Sequence, residues 1–295
     1  AIQAVYPPGS TLKPFVALGA LDAGAIEPGT TFRETCDGAF QFGSRSFRCW
    51  NPDGHGTLAM RDAVARSCDV YFYQLGIRVG LERLSAFMKR IGASDKSGID
   101  LPQERKNLFP DAAWFDKRYG AGRWSRGLIL NLAIGQGEVS ITPVKLAQLT
   151  AFLANGGTIV RPHVVRSMRG ESRAVDPAVT QTDSLRNAHP ISARWIALAR
   201  ASMEAVVNDA GGTGGSARVE GYRVAGKTGT AQNPHGDDHA LFICYAPAEA
   251  PRIAVAVLVE NAGHGSTAAA PIGQKVLQAF FYPAKAESLR LVAGR

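Results

Sequence analysis

Residues 6–15 read YPPGSTLKPF: a Pro-Pro-Gly turn, then Ser10 three positions before Lys13. Apolar residues continue at helical spacing through Leu12, Val16 and Leu21 until Gly24, which predicts a helix buried on most sides. Pro14 falls in its first turn, where a missing N–H costs little. Positions i and i+3 share a helix face, so Ser10 and Lys13 are expected within hydrogen-bond reach of each other. A serine becomes a nucleophile when a base takes its proton, and a lysine can be that base because burial disfavours the ammonium form. Ser-x-x-Lys arises often by chance, so its meaning depends on the rest of the chain.

That rest is a folded globular sequence of 295 residues, 45% hydrophobic and 20% charged, with no internal repeat. The net charge of +8 favours anionic surroundings such as nucleic acid, lipid headgroups or an acidic wall polymer. Basic residues are spread out, densest in RPHVVRSMRGESR (161–173), and no nucleic-acid-binding signature accompanies them, so a solvated basic surface is expected and no nucleic-acid partner. No apolar run approaches the roughly 20 residues of a membrane span. The chain starts without Met or a leader and reads as the latter part of a longer one.

Residues 27–57 are Gly-, Ser- and Asp-rich and predict an irregular excursion or short hairpin. Helical patterning fills 57–80, 81–92 and 142–157, with a long loop carrying DLPQERKNLFP (100–110) between the last two. Beyond Gly157 four segments read as strands, 158–165, 221–232, 239–248 and 252–261, with helices at 191–209 and 270–281. The expected class is α+β: a mainly antiparallel sheet with flanking helices and an inserted helical lobe.

Two downstream elements give Ser10 its context. Ser67-Cys68-Asp69 lies in the helical stretch 57–80, and Lys227-Thr228-Gly229-Thr230 in a strand-like one. In that chain order the three elements match the active-site set of penicillin-binding proteins and class A β-lactamases. With GHGTL (54–58), SGIDLP (97–102), AIGQGEVSITPVKLAQLTAFLANGG (133–157) and VAGKTGTAQ (224–232), the sequence resembles the transpeptidase domain of class B penicillin-binding proteins, most of all the elongation-specific penicillin-binding protein 2 branch, over nearly its whole length.

The resemblance implies a single transpeptidase domain over 1–295 with the β-lactamase-like fold. Its helical lobe would lie at about 57–155, a zinc or disulfide loop at about 27–57 and the sheet part at about 157–295, without the strands the family places upstream of the nucleophile. It implies Ser10 as nucleophile, Lys13 as base, Ser67 as proton relay and Lys227 as added positive charge. Thr228 and Thr230 would offer hydroxyls to a terminal carboxylate, and Gly229 would keep the strand low for a peptide. Since alternation puts Lys227 and Thr228 on opposite faces, both can border one cleft only on a twisted edge strand. An oxyanion would rest on the N–H groups of Ser10 and Thr230. Asp69 departs from the usual Asn but matches the elongation branch; an ionised Asp only accepts hydrogen bonds, leaving open whether it meets substrate or a cation.

The implied reaction is D,D-transpeptidation: Ser10 attacks the D-alanyl-D-alanine carbonyl of a peptidoglycan stem peptide, D-Ala leaves, and a second strand's amine resolves the ester. β-Lactams would acylate Ser10 as covalent inhibitors. Alternatives are a serine β-lactamase or penicillin-sensing domain on the same fold, though no deacylating Glu stands out, or a non-catalytic partner of the wall machinery. The implied partner is a membrane glycosyltransferase, and the implied location a periplasmic catalytic domain held to the inner membrane by an anchor outside this sequence.

Four cysteines pose a separate question. Cys244, in LFICYAP (241–247), reads as a buried core thiol. Cys36 and Cys49 could pair as a disulfide in an oxidising compartment, whereas Cys36, Cys49, His55 and Cys68 form a complete tetrahedral zinc set without finger spacing. The resemblance favours zinc, because penicillin-binding protein 2 homologues are similar in carrying metal-type ligands at matching positions. Zinc there would brace the second motif from behind, and no organic cofactor is expected. His163, His189, His235, His239 and His264 read as surface or locally bonded residues, His235 and His239 with a possible rim contact.

Overall fold

The computed structural model describes residues 1–165 and 190–283. A single 3-10 turn, Gly9–Leu12, leads without a break into α1 (Lys13–Asp22), every residue of which from Lys13 to Leu21 is buried. The 27–57 segment contains the short hairpin β1 (Ala39–Phe42) and β2 (Arg45–Arg48). The helical stretch 57–80 is two helices, α2 (Met60–Ala65) and α3 (Asp69–Val79). The second motif therefore lies in the break between helices rather than along one, and Ser67 takes φ +57, a left-handed conformation that a non-glycine residue rarely adopts. The lobe continues with α4 (Leu81–Arg90), α5 (Ala112–Tyr119), α6 (Leu128–Ala133) and α7 (Pro143–Ala154). Helices α5 and α6 were not expected from the sequence; both are short, with a glycine at one cap, Gly120 after α5 and Gly127 before α6.

The sheet consists of β3 (Ala225–Ala231), β4 (His239–Ala246) and β5 (Ile253–Val259), antiparallel in that order, with α8 (Ala193–Asn208) and α9 (Ala270–Phe281) packed against it. Residues 158–165, expected as a strand, form only a single β-bridge at Ile159. Alternation along β4 explains the layering. Leu241, Ile243 and Tyr245 face the main core shared with α1, α7 and α8, whereas Phe242 and Cys244 face a second core under α9. Both faces of β4 are thus dry, and β3 is left at the edge, as the Lys227 and Thr228 placement required. Among the described residues no helix is long and apolar enough to cross a membrane.

Candidate active site

Three glycines let the nucleophile turn meet the sheet edge. A Cβ at Gly9 would stand 2.4 Å from the Thr230 carbonyl oxygen, and one at Gly135 2.1 Å from the Gly9 oxygen. A Cβ at Gly229 would stand 2.7 Å from the Thr11 methyl, so Gly229 also makes room for the turn carrying Ser10. The 3-10 geometry eclipses residues i and i+3, which keeps Ser10 and Lys13 on one side.

Lys13 is fully buried, and its ammonium has three acceptors: the Ser67 carbonyl at 2.7 Å, the Ser67 hydroxyl at 3.2 Å and Asp69 Oδ1 at 2.7 Å. The expected direct bond to Ser10 is not made. The three protons of an ammonium are all taken, and the Ser10 hydroxyl opens to the cleft without a hydrogen bond among the described residues. Asp69 uses both oxygens, since Oδ2 accepts from the Trp50 backbone N–H at 3.0 Å. The Asp for Asn departure follows: two donors face this side chain and Asn has only one acceptor. Asp69 meets a cation.

Lys227 is also fully buried, behind the cleft, and donates to the Thr228 carbonyl at 3.1 Å. Burial, and then the charge of Lys13, hold its pKa well below the usual lysine range, with Asp69 opposing. Burial thus works against the ammonium form at this position. Thr228, Gly229 and Thr230 line the cleft, the Thr228 hydroxyl bonded to that of Thr213 at 2.7 Å. Gln136 Nε2 donates to the Thr230 carbonyl at 2.9 Å from outside the sheet. In a strand the N–H and C=O of one residue point to the same edge, so the Thr230 N–H also faces the open side. It lies beside Ser10, whose own N–H is in the first turn of a helix and has no intrahelical acceptor. Two donors are then available for an oxyanion.

The cysteine loop stands directly behind this network. Backbone bonds from Cys36 to Gly56 and from Cys49 to Gly38 fold it back on itself, with Gly54 and Gly38 at positive φ where a Cβ would strike the crossing chain. Cys36, Cys49, His55 and Cys68 converge with all four ligand atoms within 4.8 Å of one another, and none of the four cysteines is in a disulfide. His55 Nδ1 is 3.5 Å from the sulfur of Cys36 and 3.5 Å from that of Cys49. A tetrahedral zinc with sulfur at ~2.3 Å and nitrogen at ~2.0–2.1 Å has sulfur–nitrogen edges of roughly 3.5 Å, so the donor set fits. The hydrogen bond between Cys49 and Cys68 draws the Cys49 thiol down and pushes the Cys68 thiol up, and burial raises Cys36. Cys68 also caps α3, its sulfur accepting from Tyr71 N–H at 3.4 Å.

Other cleft residues, Arg48, Trp50, Gln136 and Thr213, were not singled out in the sequence, and His264, read there as a surface or locally bonded residue, also lines the cleft. The signals were present: Trp50 adjoins Cys49, Gln136 sits between two glycines, and Thr213 stands in GGTGG (211–215). Of the other histidines, His239 accepts from Asn261 N–H at 3.1 Å, neither His235 nor His239 lines the cleft, and His189 lies outside the described residues. Cys244 is fully buried, and burial pushes its thiol up, as expected of a core residue.

Residues 1–278 match the family model described as the penicillin-binding protein transpeptidase domain. The chain belongs to that family. Among its relatives, the peptidoglycan D,D-transpeptidase MrdA of Haemophilus influenzae is 37% identical over 94% of this chain and 44% of its own length. A solved penicillin-binding protein 2 of Pseudomonas aeruginosa, in complex with WCK 5153, is 39% identical, with a TM-score of 0.84 over 95% of this chain and 60% of that one. A chain from a peptidoglycan synthase complex, described as coordinating polymerization and crosslinking, is 29% identical, with a TM-score of 0.79 over 95% of this chain and 46% of that one. This chain thus spans less than half of the curated relative's length, and the fold is the expected penicillin-binding transpeptidase fold.

Proposed function

We propose that this domain is the catalytic part of an elongation-type peptidoglycan D,D-transpeptidase. One observation carries the reading: Ser10 opens to the cleft while Lys13, in the next turn, is bonded to both Ser67 and Asp69. Attack of the Ser10 oxygen on the penultimate D-Ala carbonyl forms the new C–O bond, and its proton passes to Lys13, which serves as base once it has given up to solvent one of the three protons bonded in the resting site. The developing oxyanion rests on the N–H groups of Ser10 and Thr230. Collapse breaks the C–N bond, and the Ser67 hydroxyl, 3.2 Å from Lys13, returns the proton to the leaving D-Ala. The amine of a second stem peptide then enters by the reverse path, leaving a cross-link and free Ser10. Thr228 and Thr230 offer hydroxyls to the terminal carboxylate, Thr213 orienting the first of them.

A β-lactam enters the same path and stops at the ester, a reading that the family supports. Zinc on Cys36, Cys49, His55 and Cys68 would be structural, tying the loop to the turn that carries Ser67. A membrane glycosyltransferase is the partner, supported by the likeness to a chain of a peptidoglycan synthase complex, and the site of action is periplasmic, next to the inner membrane.

Incubation with a D-Ala-D-Ala pentapeptide and an acceptor amine, read by mass spectrometry, tests the activity. A cross-linked dimer and released D-Ala are expected. Rapid hydrolysis of penicillin without dimer would make the domain a β-lactamase, stable labelling without dimer a sensor, and no labelling a non-catalytic partner.

A further inference from the structure

Helix α5 and the loop that follows it carry a layer of aromatic rings outside the cleft. Phe115, fully buried, stacks with Tyr119 at 6.1 Å and 18° and with Trp124 at 5.3 Å and 30°. The polar tips of the outer two rings are tied down, the Tyr119 hydroxyl donating to Glu138 Oε1 at 2.8 Å and the Trp124 indole N–H to Asp116 Oδ1 at 2.7 Å. Tyr119 is nevertheless 42% exposed, and Trp124 is half-buried. Rings held in this way have little freedom left to lose when a ligand packs on them.

Charge is concentrated on the same surface. Lys117, Arg118, Arg123 and Arg126 are all exposed, and none makes an ion pair among the described residues. Asp116, the one acid within 112–126, is engaged by the Trp124 indole. The Arg118 guanidinium lies 5.8 Å from the centre of the Tyr119 ring, so ring and cation are presented together. This surface also adjoins the cleft. A Cβ at Gly127 would stand 3.6 Å from the Phe42 ring of β1, α6 runs from Gly127 to Ile134 and Gln136 in the cleft wall, and one glycine separates Gln136 from Glu138, which holds Tyr119.

Fixed rings and unpaired cations together select a polymer with both sugar faces and carboxylates. The C–H face of a pyranose packs on an aromatic ring, drawn to its negative face, and a guanidinium pairs with a carboxylate. An anionic bilayer would use the cations but needs apolar side chains that reach into it, and here the polar tips hold both rings back against the protein.

We propose that this face of α5 and the 120–127 loop is an exosite for the peptidoglycan strand itself, its sugars packing on Tyr119 and Trp124 and the carboxylates of its stem peptides pairing with Arg118, Arg123 and their basic neighbours. The inference rests on the transpeptidase reading above and adds a second attachment, outside the catalytic cleft, that keeps the polymer at hand while one of its peptides reacts.

Uncross-linked strands carrying pentapeptides, compared with the free pentapeptide as substrates, test it. The wild-type chain is expected to cosediment with strands, less so as salt rises, and to show a lower KM per peptide on strands than on free pentapeptide. In Arg118→Glu with Arg123→Glu, the ratio of kcat/KM on strands to that on free pentapeptide should fall roughly tenfold, through KM. Lysine at both positions should restore most of the ratio. Tyr119→Leu should weaken binding of strands whose peptides an amidase has removed, where only the sugars remain. Equal losses on strand and free peptide in the charge-reversed protein, or none, would overturn the proposal. So would a charge reversal that abolishes binding to anionic phospholipid vesicles and leaves binding to strands intact. A wild-type protein that benzylpenicillin fails to acylate would refute the transpeptidase reading itself, a separate outcome.

Discussion

Asp69 holds two donors at once, and Asp69→Asn separates its two duties. The amide keeps the shape but has one acceptor where two are used, at 2.7 Å from the Lys13 ammonium and 3.0 Å from the Trp50 N–H. Turned one way, it leaves the Trp50 N–H facing an NH2 group, a lost hydrogen bond worth ~1–3 kcal/mol when buried. Turned the other way, it opposes NH2 to a fully buried ammonium, and breaking such a pair costs ~3–5 kcal/mol. The first orientation wins, and with the weaker pull of an amide on Lys13 the expected loss is about 2–4 kcal/mol. Equilibrium denaturation at neutral pH in zinc-containing buffer measures it, with the penicillin acylation rate recorded on the same samples. Acylation should slow as well, because an amide holds Lys13, and through it Ser67, less tightly than the carboxylate does. A variant within about 0.5 kcal/mol of wild type and acylating at the same rate would refute this account of Asp69.

Two further outcomes follow from buried groups. Cys68→Ser, or stripping with a chelator, should release zinc, lower the unfolding midpoint and slow acylation together, checked by metal analysis, calorimetry and penicillin labelling; unchanged acylation in fully demetallated protein would contradict the bracing role. Lys145, bonded to Gln148 Oε1 at 2.5 Å and the Lys96 carbonyl at 3.2 Å, is lowered from 10.5 to about 8 by burial, against the pull of Asp95 and Glu104. Between those two values the unfolded chain binds the extra proton, so stability rises with pH, by about 3 kcal/mol in all. In Lys145→Met that rise should vanish when denaturation curves at pH 7.5 and 10 are compared, and an identical slope in the variant would exclude Lys145 as its source.

The local elements were legible where pattern alone decides them. α1, α4, α7 and α8 have helical periodicity, β4 and β5 are short apolar runs, and the three motifs announce the site by type and order. What escaped is set by tertiary contact. Ser67 reads as helical, but its φ of +57 comes from the demand that its carbonyl and hydroxyl both reach Lys13. Gly229 reads as a substrate surface, and the close approach of Thr11 to it could not be read from the sequence. Lys227 reads as bordering the cleft, but it is completely buried and does not line it. Arg48 and Trp50 belong to the cleft only because residues far apart in sequence, Tyr73, Asp69 and Arg66, hold them there.

The central claim is that Ser10 is the nucleophile, and intact-mass analysis after incubation with benzylpenicillin, with peptide mapping and Ser10→Ala alongside, tests it most directly. The account predicts a single penicilloyl adduct on the peptide carrying Ser10, persisting for many minutes, and no adduct on folded Ser10→Ala protein. An adduct on another residue, or one that forms equally in Ser10→Ala, would contradict it.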